Sequence, residues 1–300
     1  MEFNHIALVG LGLIASSIAL KIKSKKNRIK ITGYSRTKKT REEARKINFC
    51  TVCDNYEDCI KEANLVILCV PVGAMGDTME KIAPYLSKSA IVTDVGSVKE
   101  SVILQVQKKL PKGTFFVPAH PLAGTENSGP SAGYASLFEN RWCILTPSNN
   151  VPIEIIKKVK FFWEQLGSNV VEMDAKHHDL VLSVTSHAPH LIAFTMVGVA
   201  DEFSKVTNSE VINYSAAGFR DFTRLAASDP IMWRDIFLNN KDAALEILGR
   251  FTEELFTLQK AIRKKDGEFL LKYFERTRKI RRSIINAGQD TSEPNFGRKE

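Results

Sequence analysis

The chain has 300 residues, 44% hydrophobic and 25% charged, a balance that excludes disordered and coiled-coil architectures and leaves room for two packed cores. Its 42 Lys and Arg exceed its 34 Asp and Glu by eight, and the excess is local: from Lys21 to Lys46 twelve basic residues accompany only Glu42 and Glu43. A charge so concentrated points to an anionic ligand near one segment rather than to a nucleic-acid-binding surface, because no aromatic interleaving or nucleic-acid module accompanies it.

Short apolar, β-branched runs alternate with amphipathic segments through the first half: His5 to Gly10, Lys30 to Ser35, Leu65 to Val70, Ala90 to Gly96, Phe115 to Pro121, Trp142 to Pro147 and Asn169 to Asp174. This alternation predicts a parallel sheet flanked by helices. Cys50 to Cys53 falls in or beside a further strand, where burial explains the two thiols better than a redox pair. From Asp174, an expected N-cap, helical patterns take over: one run to about Ala200, another around Glu210 to Ala227, and a long helix opened by Asp229-Pro230. Asp266-Gly267 is expected to divide the last stretch. The predicted organisation is an α/β Rossmann-type dinucleotide-binding domain over residues 1–174, an all-helical substrate and dimerisation domain over 175–288 and a flexible tail over 289–300.

Five scattered cysteines, and a start that runs straight into a strand without a signal-peptide pattern, predict a reducing, cytoplasmic setting. Leu180 to Ala200 carries no Asp, Glu, Lys or Arg, yet its Ser183, Thr185, Ser186, His187, Pro189 and His190 argue for a buried helix rather than a membrane span.

The sharpest local motif is Gly10-Leu11-Gly12-Leu13-Ile14-Ala15, between the first strand and the first helix. Gly10 permits the tight turn, Gly12 lets the backbone approach a pyrophosphate, and Ala15 keeps helix and strand close, while the helix start offers its amides to phosphate. At the end of the second strand an NAD-specific site ordinarily has a carboxylate for the ribose 2′-hydroxyl. Here Ser35 and Arg36 stand there, followed by Lys38 and Lys39, which favours NADP modestly over NAD.

Further motifs run from Asp94 to Lys99, His120 to Glu126, Ser186 to His190, Gly218 to Arg224 and Ser228 to Asp235. In this order and over most of the chain they resemble the prephenate and arogenate (cyclohexadienyl) dehydrogenases of tyrosine biosynthesis. The resemblance implies oxidative decarboxylation of prephenate and/or arogenate with hydride transfer to NAD(P). It implies catalytic roles for His120, as the base that takes the substrate hydroxyl proton, and for Ser97, which holds that hydroxyl and orients the imidazole. Arg224 is implied as ligand of the ring carboxylate, with Glu126 and Asp221 as its ionic partners. Ser186, His187, His190 and Trp233 complete the implied substrate site, and Val70, Pro71, Asp94 and Gly96 join Gly10, Leu11, Gly12, Leu13, Ile14, Ser35 and Arg36 around the cofactor.

No metal is expected: His177, His178, His187 and His190 lack a His-Glu-x-x-His or cysteine pattern, and an aromatising decarboxylation needs no Lewis acid. Two alternatives are a β-hydroxyacid dehydrogenase-like oxidoreductase, for which no matching Asn and Lys pair is found, and a non-catalytic cofactor-sensing protein. The long apolar faces around Phe237, Leu238, Leu245, Ile247, Leu248, Phe251, Leu255 and Phe256 predict a homodimer. The basic residues between Lys260 and Arg282 read as a solvated helix face.

Overall fold

The computed structural model describes residues 3–25, 28–204 and 213–286. The start of the helical run expected near Glu210 and the tail from Gln289 lie outside the described residues.

Six strands form one wholly parallel sheet in the order β3-β2-β1-β4-β5-β6. They are β1 (His5–Val9), β2 (Lys30–Tyr34), β3 (Thr51–Val52), β4 (Leu65–Leu68), β5 (Ile91–Asp94) and β6 (Phe115–Val117). Every residue of β1, β4 and β5 is buried, because helices cover both faces, and this is why these runs are continuously apolar instead of alternating. The flanking helices are α1 (Leu13–Ser24), α2 (Lys38–Ile47), α3 (Tyr56–Ile60), α4 (Met75–Ile82) and α5 (Glu100–Gln107). The strand order reverses beside β1, so the crevice at the carboxyl ends of β1 and β4 is the topological place for a ligand.

The sequence pattern predicts a single parallel sheet, and here the structure differs. The run Phe115 to Pro121 breaks at Pro118, whose ring removes the amide a continuous ladder needs. β7 (Ala119–Pro121) leaves the main sheet and starts a second one, ordered β7-β8-β9 with β8 (Trp142–Leu145) and β9 (Asn169–Glu172). β7 runs antiparallel to β8, with His120 opposite Ile144, and β8 runs parallel to β9. His120 therefore sits inside a strand of the small sheet and not in a loop beyond the large one. α6 (Ile153–Leu166) buries Ile156, Val159, Phe162, Trp163 and Leu166 and ends at Gly167, which has the positive φ (105°) of a helix C-cap.

Among the described residues, everything after β9 is helical. Asp174 caps α7 (Ala175–Leu182) by accepting the His177 amide at 3.0 Å. A π-helical turn (Ser183–His187) joins it to α8 (Ala188–Ser204). Pro189 cannot donate to the carbonyl four residues back, so the preceding turn widens to five residues and keeps the helix continuous. α9 (Ala217–Thr223) leads through a 3-10 turn (Arg224–Ala227) to α10 (Pro230–Asn239), capped by Asp229 on the Met232 amide at 2.8 Å. α11 (Lys241–Lys264) and α12 (Gly267–Asn286) follow, separated at Lys265 (φ 53°) and Asp266. The chain divides into a compact body through Ala244 and a second unit from Leu245. The site described below lies within the first.

Candidate active site

Gly10 turns the chain out of β1 with φ 100°, and a Cβ there would overlap the Cys69 carbonyl. Gly12, by contrast, has open space within 4 Å of where its Cβ would stand, directly before α1. That is the opening a pyrophosphate needs, and the first amides of α1, from Leu13 and Ile14, have no intrahelical acceptor and remain available to it. In front of this turn lies a cavity of about 290 Å³, lined by Gly10, Leu11 and Gly12, by Ser35, Arg36 and Thr37 after β2, by Cys69, Val70 and Pro71 after β4, and by Asp77 and Lys81 of α4.

The basic segment splits in function. Arg36 lines the cavity, whereas Lys38 is 82% exposed and pairs only with Glu42, and neither Lys38 nor Lys39 lines it. Arg41 instead holds the turn in shape, donating to the carbonyls of Ser35 (2.7 Å) and Arg36 (3.1 Å) and lying over the Tyr34 ring. Arg41 and Arg45 share Asp54 at 3.3 and 2.7 Å.

Two of the expected cofactor residues have a different place. Asp94 is wholly buried and does not line the cavity: Oδ2 accepts the Gly96 amide (2.8 Å) and pairs with the Lys99 ammonium, and Oδ1 accepts the Ala119 amide (3.1 Å). Gly96 is buried too, and a Cβ there would press on Met75 and on Asp94 itself. Lys99, also wholly buried, donates to the Ala119 carbonyl at 2.8 Å. Asp94 and Lys99 thus bolt the end of β5 to β7 one residue before His120.

His120 is 6% exposed, and its Nδ1 lies 2.8 Å from Nε2 of His178 on α7. His178 Nδ1 lies 2.7 Å from Oδ1 of Asp179. The same carboxylate accepts the amides of Lys99 (2.8 Å) and Glu100 (3.0 Å) at the start of α5. Burial, reinforced by His178, Lys99 and His187, holds the His120 imidazole well below its ordinary pKa, hence neutral. The sequence motifs locate His120 and Lys99 but miss His178 and Asp179 as partners of His120 and assign Lys99 no role.

His187 is buried against Ser97, whose backbone faces its ring, and Asn240 reaches its Nδ1 at 3.1 Å. Ser97 itself is half-buried beside this ring, and its hydroxyl makes no hydrogen bond to His120 among the described residues. Asn240 also donates to Ser183 Oγ and the Asp179 carbonyl, both at 2.9 Å, which ties the end of α10 to α7 and the π-turn. α10 docks on the nucleotide-binding half through Asn239, which accepts from Ser101 (2.6 Å) and Gln105 (3.1 Å).

His190 stacks on Trp233, with centroids 3.8 Å apart and planes 25° apart, and its Nδ1 is held by the Ser186 carbonyl at 2.8 Å. Ser186 therefore acts here through its backbone. Trp233 is 5% exposed and its indole N–H has no partner among the described residues. Arg224 pairs with Glu126 at 3.1 Å while its Nε is buried without a partner. Asp221 lies exposed on α9 and makes no ion pair with Arg224 among the described residues. Two buried donors without acceptors, from Arg224 and Trp233, are what an anionic ligand would satisfy.

The sequence matches two family models, the nucleotide-binding domain of prephenate dehydrogenase over residues 18–172 and the dimerization domain of prephenate dehydrogenase over residues 174–276. A cyclohexadienyl dehydrogenase of Zymomonas mobilis is 44% identical over 94% of this chain and 96% of its own length. A prephenate dehydrogenase of Bacillus subtilis is 35% identical over 93% of this chain and 75% of its own. Among solved structures, prephenate dehydrogenase from A. aeolicus in complex with hydroxyphenyl propionate and NAD+ superposes with a TM-score of 0.88 at 33% identity, covering 95% of this chain and 99% of that one. With a Rossmann sheet, a glycine turn opening on a cavity and a buried histidine on the neighbouring small sheet, the chain belongs to the prephenate dehydrogenase family of NAD(P)-linked dehydrogenases.

Proposed function

We propose that this protein oxidatively decarboxylates prephenate and/or arogenate to 4-hydroxyphenylpyruvate and/or tyrosine, in tyrosine biosynthesis. The bound nicotinamide supplies the two-electron acceptor for the hydride that leaves the carbon bearing the 4-hydroxyl. His120 takes the hydroxyl proton as that carbon becomes a carbonyl. The bond to the ring carboxylate then breaks, its electron pair entering the ring as carbon dioxide departs, and His120 returns the proton to the phenolic oxygen. Arg224 binds the ring carboxylate with the help of Glu126, and His190, held edge and face by Ser186 and Trp233, borders the side chain. Ser97, beside His187, binds the hydroxyl.

The observation that carries this reading is His120: a buried, neutral imidazole whose Nδ1 is already engaged and whose Nε2 has no protein partner among the described residues. The helical stretch Ala175–Phe203, although 29 residues long and apolar enough to cross a membrane by length and composition, presents His178, Asp179 and His187 to this site, which supports a protein-facing role. Ser35 and Arg36 at the cavity support NADP over NAD, since the carboxylate that lines it, Asp77, comes from α4 and not from the end of β2. The protein acts as a homodimer, a reading supported by the matched dimerization domain, and five free thiols fit a cytoplasmic setting. A steady-state assay crossing prephenate and arogenate with NAD and NADP tests the reaction; turnover with at least one pair is expected, and turnover with none refutes it.

A further inference from the structure

We infer that Asp179 and His178 set the proton state of His120: the carboxylate fixes the tautomer of His178, and His178 holds the proton of His120 on Nδ1, leaving Nε2 as the basic nitrogen. The catalytic consequence rests on the reaction proposed above, whereas the tautomers follow from the donors and acceptors and from the buried setting of His178.

Asp179 accepts two backbone amides at the start of α5, from Lys99 on Oδ1 and from Glu100 on Oδ2. Amides only donate, so both oxygens of this carboxylate are engaged as acceptors. His178 Nδ1, 2.7 Å from Oδ1, must then carry a hydrogen and donate it. Burial and the Lys99 ammonium outweigh Asp179 and Asp94 and keep His178 neutral. A neutral imidazole with its hydrogen on Nδ1 has a lone pair on Nε2, which accepts from His120 Nδ1 at 2.8 Å. Each link has one polarity, so the direction of the whole chain is set by the α5 amides, two residues beyond Ser97.

The same arrangement serves the charged state. When Nε2 of His120 receives the substrate proton, the imidazolium keeps its Nδ1–H on His178, and the charge is met by a lone pair polarised toward Asp179 without a second proton transfer. His178 is thus a positioning residue, acting through His120 and not on the substrate.

Nitrogen-15 NMR of histidine-labelled full-length protein at neutral pH reads the tautomers directly. His120 and His178 are both expected to carry their hydrogen on Nδ1, and an Nε2–H form of His120 overturns the inference without any variant. In kinetics, His178→Phe removes the acceptor and is expected to lower kcat about 10²-fold with KM changed little, the range of a lost general base. His178→Gln places a carbonyl where Nε2 stood and is expected to recover about tenfold of that loss. Its pH profile of kcat/KM should keep the wild-type acid limb. Equal kcat for the Phe and Gln variants, or a loss confined to KM, refutes the relay. Absence of turnover in the wild-type protein would instead refute the proposed reaction, and the NMR result would still decide the tautomers.

Discussion

Asp94 and Lys99 form an ion pair in which both side chains are wholly removed from solvent, and it joins two sheets. Desolvating two charges is costly, so the pair itself adds little net stability, but removing one partner strands the other. Lys99→Met leaves a buried carboxylate and is expected to destabilise the fold by about 3–5 kcal/mol. Asp94→Asn/Lys99→Met should recover part of that loss. Urea denaturation checks both, and a loss under about 1 kcal/mol for Lys99→Met would contradict the pair's role.

Much of this was legible before the structure, and the misses have physical reasons. The glycine turn and the caps at Asp174 and Asp229 depend on local backbone chemistry, so residue identity suffices to place them. The split at Pro118 is a contest between strand propensity and a missing amide, decided by Asp94, 25 residues away, which binds the Ala119 amide. Asp179 and His178 were hidden because a helix signal says nothing about which polar residue is buried. One sign was present: Asp179, Ser183 and His187 recur every four residues, hence on one helix face, and these are the positions Asn240 gathers. Glu126 pairs with Arg224 as the resemblance implies, whereas Asp221 does not among the described residues, because Arg224 opens the 3-10 turn that follows α9.

The depressed pKa of His120 predicts the pH profile. In the proposed reaction His120 works unprotonated, so kcat/KM should stay level as pH falls through 6.5, the ordinary histidine value, and drop only below it. An acid limb at or above 6.5 would contradict the burial argument. Stability follows the same sign. His120, His178, His187 and His190 all bind protons more weakly folded than unfolded, with His187 lowered to about 4. Stability is therefore full above pH 6.5 and lost as pH falls toward 4, where the unfolded chain takes up protons the folded one refuses. His187 alone contributes about 3 kcal/mol to that loss, so His187→Gln should flatten the decline measured by denaturation across this window.

Arg224 pairs with Glu126 at 3.1 Å, and the proposed reaction assigns its guanidinium to the substrate's ring carboxylate. Arg224→Ala is expected to raise KM about 10- to 100-fold through loss of a charge-assisted contact, with a smaller effect on kcat. Arg224→Lys should recover little, because an ammonium cannot reproduce two parallel hydrogen bonds. An unchanged KM in the Ala variant would place the substrate carboxylate elsewhere.

Cofactor choice is expected to turn on Arg36, the one charged side chain lining the cavity among the described residues between Lys21 and Lys46. Arg36→Asp puts a carboxylate where a 2′-phosphate would lie and should lower kcat/KM for NADP relative to NAD by about tenfold or more. Lys38→Ala is the control, since Lys38 is solvent-exposed and should leave the ratio unchanged. An unchanged ratio for Arg36→Asp would detach the charge excess from cofactor binding.

Leu245, Leu255 and Phe256 on α11 are 58%, 48% and 64% exposed. At about 100° per residue, Phe256 lies about 20° and Leu255 about 80° around the helix from Leu245, so the three side chains share one side of it. Covering what remains exposed of each is worth about 1 kcal/mol or somewhat more, and together they drive the face toward a second copy. The matched dimerization domain spans this helix. Light scattering at micromolar concentration should give twice the 33.6 kDa chain mass, and Leu245→Asp/Phe256→Asp should give the chain mass itself. A monomeric wild-type protein would refute self-association, and a dimer that survives the double substitution would refute this face as its interface.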